Sequence, residues 1–222
     1  MTRAKFDLSA PRGRIRAYWD MVMVDHGIFR LIWTNGARVS AKLRRSNHPM
    51  PYRIGWLKRR GIQTIVNLRG RNDSGWYVLE AEACRKHGIE LVDFPTKSRD
   101  TPAKEMIHGA KRLFDTIRYP ALMHCKSGAD RAGLMGVLYR LLHEGRPIEE
   151  ALEQLHWRYG HIRQAKVGII DYFFEQYRAY DAKTPTPFLD WVDTIYDPKS
   201  VKDSFMTQWW ANLVVDKILR RE

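Results

Sequence analysis

His124-Cys125-Lys126-Ser127-Gly128-Ala129-Asp130-Arg131-Ala132-Gly133 is flanked by two short periodic segments. Before it, Ala121 to His124 is an apolar run with the length of a buried strand. After it, Leu134, Val137, Leu138, Leu141 and Leu142 repeat at the i, i+3, i+4, i+7 spacing of a helix. A strand feeding a tight loop into a helix N-terminus makes an anion site, because unpaired N–H groups and the helix dipole point into the loop. The five residues between Cys125 and Arg131 are enough to wrap backbone amides around one phosphate-sized dianion. The planar fork of Arg131 then reaches two of its oxygens. The same positive field favours the thiolate, the nucleophilic form of a cysteine. His124 is placed to orient the loop through its ring nitrogens.

Working outward, strands and helices alternate. Gln63 to Leu68 and Ile89 to Phe94 are further β-branched or apolar runs bounded by Gly, Pro or charge. Between them, Trp76 to His87 reads as a helix stopped by Gly88. Pro102 to Ile117 carries Met106, Ile107, Ala110, Leu113, Phe114 and Ile117 on one helical face. This order predicts an α/β fold, a largely parallel sheet flanked by helices. Upstream, Arg38 to Leu43 is expected as a further strand and Tyr52 to Arg60 as a short helix. Downstream, Pro147 to Leu155 and Val167 to Tyr180 are expected as helices, and Lys183-Thr-Pro-Thr-Pro187 as a linker. Phe205 to Leu219 reads as an amphipathic helix with Trp209, Trp210, Leu213, Val214 and Ile218. The expected organisation is a basic amphipathic extension over 1–36, a catalytic domain over 37–182 and a helical tail over 183–222.

His-Cys-x-x-Gly-x-x-Arg, from His124 to Arg131, resembles the phosphate-binding loop of the protein tyrosine phosphatase superfamily, most closely its dual-specificity branch. The resemblance extends over roughly Arg38 to Tyr180, and Gly61-Ile-Gln-Thr-Ile-Val-Asn-Leu-Arg69 resembles the strand that opens many small dual-specificity phosphatases. It implies a phosphate cradle of His124, Lys126, Ser127, Gly128, Ala129, Asp130 and Arg131 around Cys125 as nucleophile. Lys126 resembles the lysine that inositol-lipid phosphatases carry after their cysteine, and Asp130 is similar to the aspartate of the myotubularin lipid phosphatases. There are two departures. The family usually has Ser or Thr after the arginine, to help the thiolate leave during phosphoenzyme hydrolysis, where this chain has Ala132. It also places a general-acid Asp on a loop about thirty residues before the cysteine. Asp100 is the first choice for that role, with Asp93, in an apparent strand, and Asp130 as alternatives.

The implied activity is phosphomonoester hydrolysis through a cysteinyl-phosphate. The expected substrates are phosphotyrosine or other phosphoprotein, or an acidic phospholipid or glycolipid phosphate. A phosphate-recognising adaptor with turnover crippled at Ala132 is the alternative. No metal or other cofactor is expected. The chain of 222 residues has 44% hydrophobic and 28% charged residues, enough for a packed core. No apolar run has a membrane-spanning length, and the basic start leads into no signal-like apolar stretch, so a cytoplasmic protein is expected. Cys84 and Cys125 are too few for a disulfide framework. Cys84 reads as an ordinary helix-face thiol, with a protective disulfide to Cys125 as the less favoured option. His156 and His161 lack a third ligand and read as packing or surface residues. Arg69 and Arg71 either widen the anion site or end a solvated turn.

The net charge is +13, yet residues 1–60 hold fourteen Lys and Arg against Asp7, Asp20 and Asp25. Such asymmetry suits an anionic partner. In this segment Arg12, Arg14, Arg16 and Arg30 alternate with Tyr18, Trp19, Met21, Phe29, Ile32 and Trp33. Two readings stay open. Either the segment lies on an anionic membrane surface, or it packs its apolar face on the catalytic domain with arginines in solvent. Nucleic acid is disfavoured, because no recognisable binding fold accompanies the charge.

Overall fold

The computed structural model describes residues 5–219, with side chains described as far as residue 211. The chain divides into two compact units, one of Met1–Thr96 with Thr116–Ala132, the other of Lys97–Asp115 with Gly133–Glu222.

The first unit is built on a five-stranded sheet in the order β1-β2-β5-β3-β4. Its strands are β1 (Ala37–Arg38), β2 (Leu43–Ser46), β3 (Thr64–Asn67), β4 (Glu90–Asp93) and β5 (Ala121–His124). All pairings are parallel except β1 with β2, so the expected α/β architecture holds. The register places Asn67 opposite both His124 and Asp93, so these three residues are level at the C-terminal edge of the sheet. In open α/β sheets this edge is where ligands bind.

The sequence misplaces one strand. Arg38 to Leu43, expected as a continuous strand, is a reversal between β1 and β2. The Ser40 hydroxyl accepts hydrogen bonds from the N–H groups of Lys42 and Leu43. Such a local bond offers the backbone a turn in place of a ladder.

The first unit also holds α1 (Pro11–Trp19), α2 (Ile28–Ile32), α3 (Pro51–Arg59) and α4 (Gly75–His87). Proline at the first helical position starts both α1 and α3, where a missing N–H costs nothing. Gly88 ends α4 in the left-handed conformation that its sequence position announces. Ile54, Leu57, Ile65, Cys84, Ile89 and Leu122 form one buried cluster that joins α3 and α4 to the sheet. Phe6, Ala17, Met21, Met50, Trp76 and Leu79 form a second, which joins the N-terminal segment to α4. Two polar contacts reinforce the second cluster. Arg14 donates to both oxygens of Glu82 at 2.7 Å, and Asp20 accepts the Gly75 N–H at 2.7 Å, satisfying the open end of α4. Gly75 is needed there, because a Cβ would lie 2.1 Å from the Ala17 carbonyl oxygen.

The second unit contains α5 (Lys104–Thr116, apart from its last residue), α6 (Asp130–Leu142, from Gly133 on), α7 (Ile148–Leu152), α8 (Ile169–Asp181), α9 (Phe188–Thr194) and α10 (Pro198–Leu219). Phe173, Tyr177, Phe188, Trp191 and Tyr196 pack α8 against α9 through edge and stacked ring contacts. Lys183 to Pro187 joins those two helices. It is tied down by the Thr186 N–H on Asp181 and by the Tyr177 hydroxyl on the Thr186 carbonyl. In α10, Trp209 donates to the Gln164 carbonyl and Trp210 is exposed. The side chains of Leu213, Val214 and Ile218 lie outside the described residues.

Candidate phosphate-binding site

β5 ends at His124 and α6 begins at Asp130, so the quoted stretch is the strand-to-helix loop its sequence predicts. Its carbonyls face outward and are held there. Asn35 donates to the Ser127 oxygen at 2.9 Å, and the His48 N–H to the Lys126 oxygen at 3.4 Å. Buried Arg45, from β2, donates to the oxygens of Gly128 and Ala129 at 2.6 and 2.7 Å. A trans peptide sets each N–H opposite the preceding carbonyl. Four carbonyls turned out therefore turn the amides of residues 127 to 130 inward, which is an anion nest. The Gly128 N–H meets the Cys125 Sγ at 3.2 Å, a donor aimed at the thiol. Cys125 is only 2% exposed. Gly128 has φ +77°, and a Cβ on it would lie 2.6 Å from the Asn47 nitrogen, so this position requires glycine.

Arg131 reaches toward the Leu68 carbonyl at 3.4 Å. The Ser127 hydroxyl accepts from the Ala129 N–H at 3.4 Å, and Ala132 is fully buried. Lys126 is half-exposed and lies 3.4 Å from an oxygen of Asp25.

Behind the loop is a buried charged cluster that the sequence reading does not anticipate. Arg69, at the end of β3, makes a two-pronged bond to Asp25 at 2.6 and 2.8 Å, and Arg30 donates to the same carboxylate at 2.6 Å. Burial opposes ionisation of Asp25, but Arg69 and Arg30 outweigh it and hold the carboxyl below the usual range. The Arg69 guanidinium also stacks 3.6 Å above the Trp76 ring. Arg69 is thus neither a solvated turn residue nor a bare extension of the anion site.

Glu80, His48 and His124 are all wholly buried, with His124 Nε2 2.8 Å from Glu80 Oε1. Burial, then the charges of His124, Arg69 and Arg30, push His48 well below its ordinary value and keep it neutral. The three residues offer donor atoms within 4.8 Å of one another. The arginine charges that reach His48 disfavour a divalent cation there, so the cluster reads as an anchor for the loop histidine. One sequence signal exists. Trp76, Leu79, Glu80 and Ala83 share one helical stripe, so Glu80 falls on the buried face of α4.

The three candidate acids separate. Asp93, in the first unit, accepts from the Tyr77 hydroxyl at 2.6 Å and from Asn67 at 2.8 Å. Asp130 is the first residue of α6. Asp100, in the second unit, pairs with Lys202 at 2.8 Å and Lys97 at 3.4 Å, and the Lys202 contact leads in lowering its carboxyl. Cys84 and Cys125 are both free thiols. Cys84 lies in the core, where burial pushes its thiol up. His161 bonds Asp171 at 2.6 Å, and His156 accepts the Arg158 N–H, so both serve local structure.

Residues 36–167, well over half of the chain and including the whole loop, match the family described as DSP-PTPase phosphatase fused to NAD+ kinase. The chain belongs to this family. Other comparisons agree with membership in this DSP-PTPase family. The dual specificity protein phosphatase TpbA of Pseudomonas aeruginosa (strain UCBPP-PA14) is 29% identical over 119 residues, 53% of this chain and 51% of TpbA. The inositol diphosphatase DSP4 of Arabidopsis thaliana is 27% identical over 121 residues, 52% of each chain. The crystal structure of P. aeruginosa TpbA superposes with a TM-score of 0.52 at 26% identity, covering 64% of this chain and 84% of that one. The matched region spans about half the length of these curated relatives.

Proposed function

We propose that this DSP-PTPase family member hydrolyses phosphomonoesters through a cysteinyl-phosphate. The observation that carries the reading is the loop geometry: carbonyls held outward, amides turned inward, and the Gly128 N–H on Cys125 Sγ. Cys125 attacks phosphorus while Arg131 and the loop amides of residues 127–130 hold the non-bridging oxygens. An aspartic acid protonates the departing oxygen, and water then cleaves the phosphoenzyme. Asp100 is kept as the first candidate acid because it lies outside regular structure and is partly exposed. Its Lys202 and Lys97 contacts favour the carboxylate, so this role requires them to be released when substrate binds. Asp93 and Asp130 are the alternatives.

The proposed substrate class is a phosphoprotein or an acidic phospholipid or glycolipid phosphate. It is supported by the names of the two relatives, a dual specificity protein phosphatase and an inositol diphosphatase, and by half-exposed Lys126 beside the loop. The proposed location is cytoplasmic and peripheral at an anionic membrane surface. That part rests on exposed apolar side chains among the basic residues of the N-terminal segment, such as Phe29 at 71% and Ile32 at 89%.

The test is phosphate release from phosphopeptides, phosphoinositides and lipid-linked phosphates. Cys125→Ser abolishes turnover and keeps phosphate binding, and Arg131→Lys also fails, because a point charge cannot make paired contacts. Asn replacing the true acid slows alkyl phosphates about 10²- to 10⁴-fold, and aryl phosphates much less. Activity retained in Cys125→Ser would overturn the thiolate mechanism.

A further inference from the structure

Apart from the loop, the first unit holds a cavity of about 480 Å³ bounded by α3, the β1–β2 hairpin and the approach to it. This size lies within the range of small-molecule sites. No residue of the 124–132 loop lines it. Its lining includes four arginines and neither aspartate nor glutamate. One of them, Arg45, is turned into the loop carbonyls. The other three, Arg44 on β2 and Arg53 and Arg60 at α3, converge on the cavity. No carboxylate pairs with them among the described residues. This contrasts with Arg14, Arg30, Arg69 and Arg118 of the same unit, each of which is matched to an acid.

Three like charges around a half-enclosed space repel one another, and low-dielectric walls strengthen their common field. Guanidinium forks match phosphate oxygens in pairs. The rest of the wall is not suited to a bare inorganic ion. Trp56 lines it with Arg60 3.8 Å and Arg53 5.8 Å from its ring centroid, and buried Leu57 and Leu122 form apolar surface. The site therefore offers cations for charge and an aromatic and aliphatic surface for a carbon frame.

We propose that this cavity is a second anion site, taking a small organic phosphate of at least two negative charges. Its phosphates meet Arg44, Arg53 and Arg60, and its ring or carbon frame lies on Trp56 and Leu57. Because β2 lines the cavity and also supplies Arg45 to the loop, a ligand here acts on the strand that holds the loop carbonyls.

The test is calorimetric titration of the full chain with ATP, as an organic polyphosphate, and with pyrophosphate, as the charge alone. Arg131→Met disables the loop clamp, and the double variant Arg53→Ala/Arg60→Ala disables the cavity. The expected result is ATP binding that survives Arg131→Met and weakens about tenfold or more in the double variant, roughly 1.4 kcal/mol or more. Turnover of a small aryl phosphate without ATP stays unchanged in the double variant. Trp56→Leu weakens ATP and spares pyrophosphate. Arg44→Gln, at an exposed strand position, is the second cavity variant should the double one fold poorly, and it weakens ATP binding in the same direction. The proposal is overturned if the chain binds no ATP, or if Arg131→Met abolishes binding that the cavity variants keep. It is also overturned if pyrophosphate binds as tightly as ATP and ignores Trp56→Leu.

Discussion

At the scale of single residues, the nucleophile and its clamp depend on side chains that reach the loop from other elements, such as Arg45 on the carbonyls of Gly128 and Ala129. Cys125 and Arg131 announce themselves by spacing, because a loop that wraps one dianion fixes the distance between nucleophile and clamp. Asp25, Glu80, His48 and Arg45 do not, since each is brought to the loop from a different element by the fold. Their burial makes them consequential. Asp25 is the shared counter-ion of Arg30 and Arg69, and all three have little solvent access. Removing one partner of a buried pair costs about 3–5 kcal/mol. Asp25→Ala is therefore expected to lower unfolding free energy by about that much in denaturant titration, and Asp25→Asn by less, since the amide still accepts hydrogen bonds. His48 gives a pH signature. Its value is depressed in the folded chain, so below about pH 6.5 the unfolded state binds a proton that the native state does not. Stability then falls with falling pH, at up to about 1.4 kcal/mol per pH unit from this group. It is fully present above pH 7. Unfolding measured from pH 7.5 to 5.5 checks this, with His48→Gln expected to flatten the slope.

At the scale of elements, β3, β4 and β5 and the helices α3 and α4 sit within a residue or two of their expected places, since periodicity and the Pro and Gly stops are local signals. The hairpin at 37–46 escaped because Ser40 competes for backbone N–H groups in a way that residue type alone does not reveal. The loop shows the same lesson with a sharper consequence. Gly128 reads in sequence as one letter of a motif, whereas the structure requires it twice, for its positive φ and for the Asn47 nitrogen 2.6 Å from where a Cβ would sit. A non-glycine residue in the left-handed region costs about 1–2 kcal/mol before any clash. Gly128→Ala is expected to destabilise the chain by at least that amount. It should also displace the amide that meets Cys125 Sγ, lowering kcat/KM for an aryl phosphate by an order of magnitude or more. A variant that loses stability and keeps full turnover would show that the Gly128 amide is not needed by the thiolate.

At the scale of the whole molecule, the charge asymmetry was visible in the sequence, but the division of labour within the basic segment was not. Of the two readings of residues 1–36, packing on the domain is what the described residues display, but not with the arginines all in solvent, since Arg30 is buried on Asp25 and Arg14 is paired with Glu82. The membrane reading is a proposal. One side packs, through Ala17, Met21, the Arg14–Glu82 pair, the Asp20 cap on α4 and the Asp25 knot beside the loop. The other side leaves the large apolar side chains of Ile15, Trp19, Phe29, Ile32 and Trp33 exposed. No helix among the described residues is long and apolar enough to cross a membrane. The proposed membrane contact would be a shallow, interfacial one made by these exposed side chains. Each basic residue near an anionic bilayer adds about 1 kcal/mol, and the attraction fades as the Debye length drops from about 10 Å at 0.1 M salt to about 3 Å at 1 M. Deleting residues 1–36 is a poor test, because it also removes the Asp20 cap and the Asp25 counter-ion. The triple variant Phe29→Ser/Ile32→Ser/Trp33→Ser touches only exposed side chains. The wild-type chain is expected to co-sediment with anionic vesicles and not with neutral ones, and to be released by 1 M salt. The triple variant should stay in the supernatant while releasing phosphate from a soluble aryl substrate at the wild-type rate. Wild-type protein that ignores anionic vesicles at low salt would refute the membrane location and leave the charge to guide a soluble phosphorylated substrate.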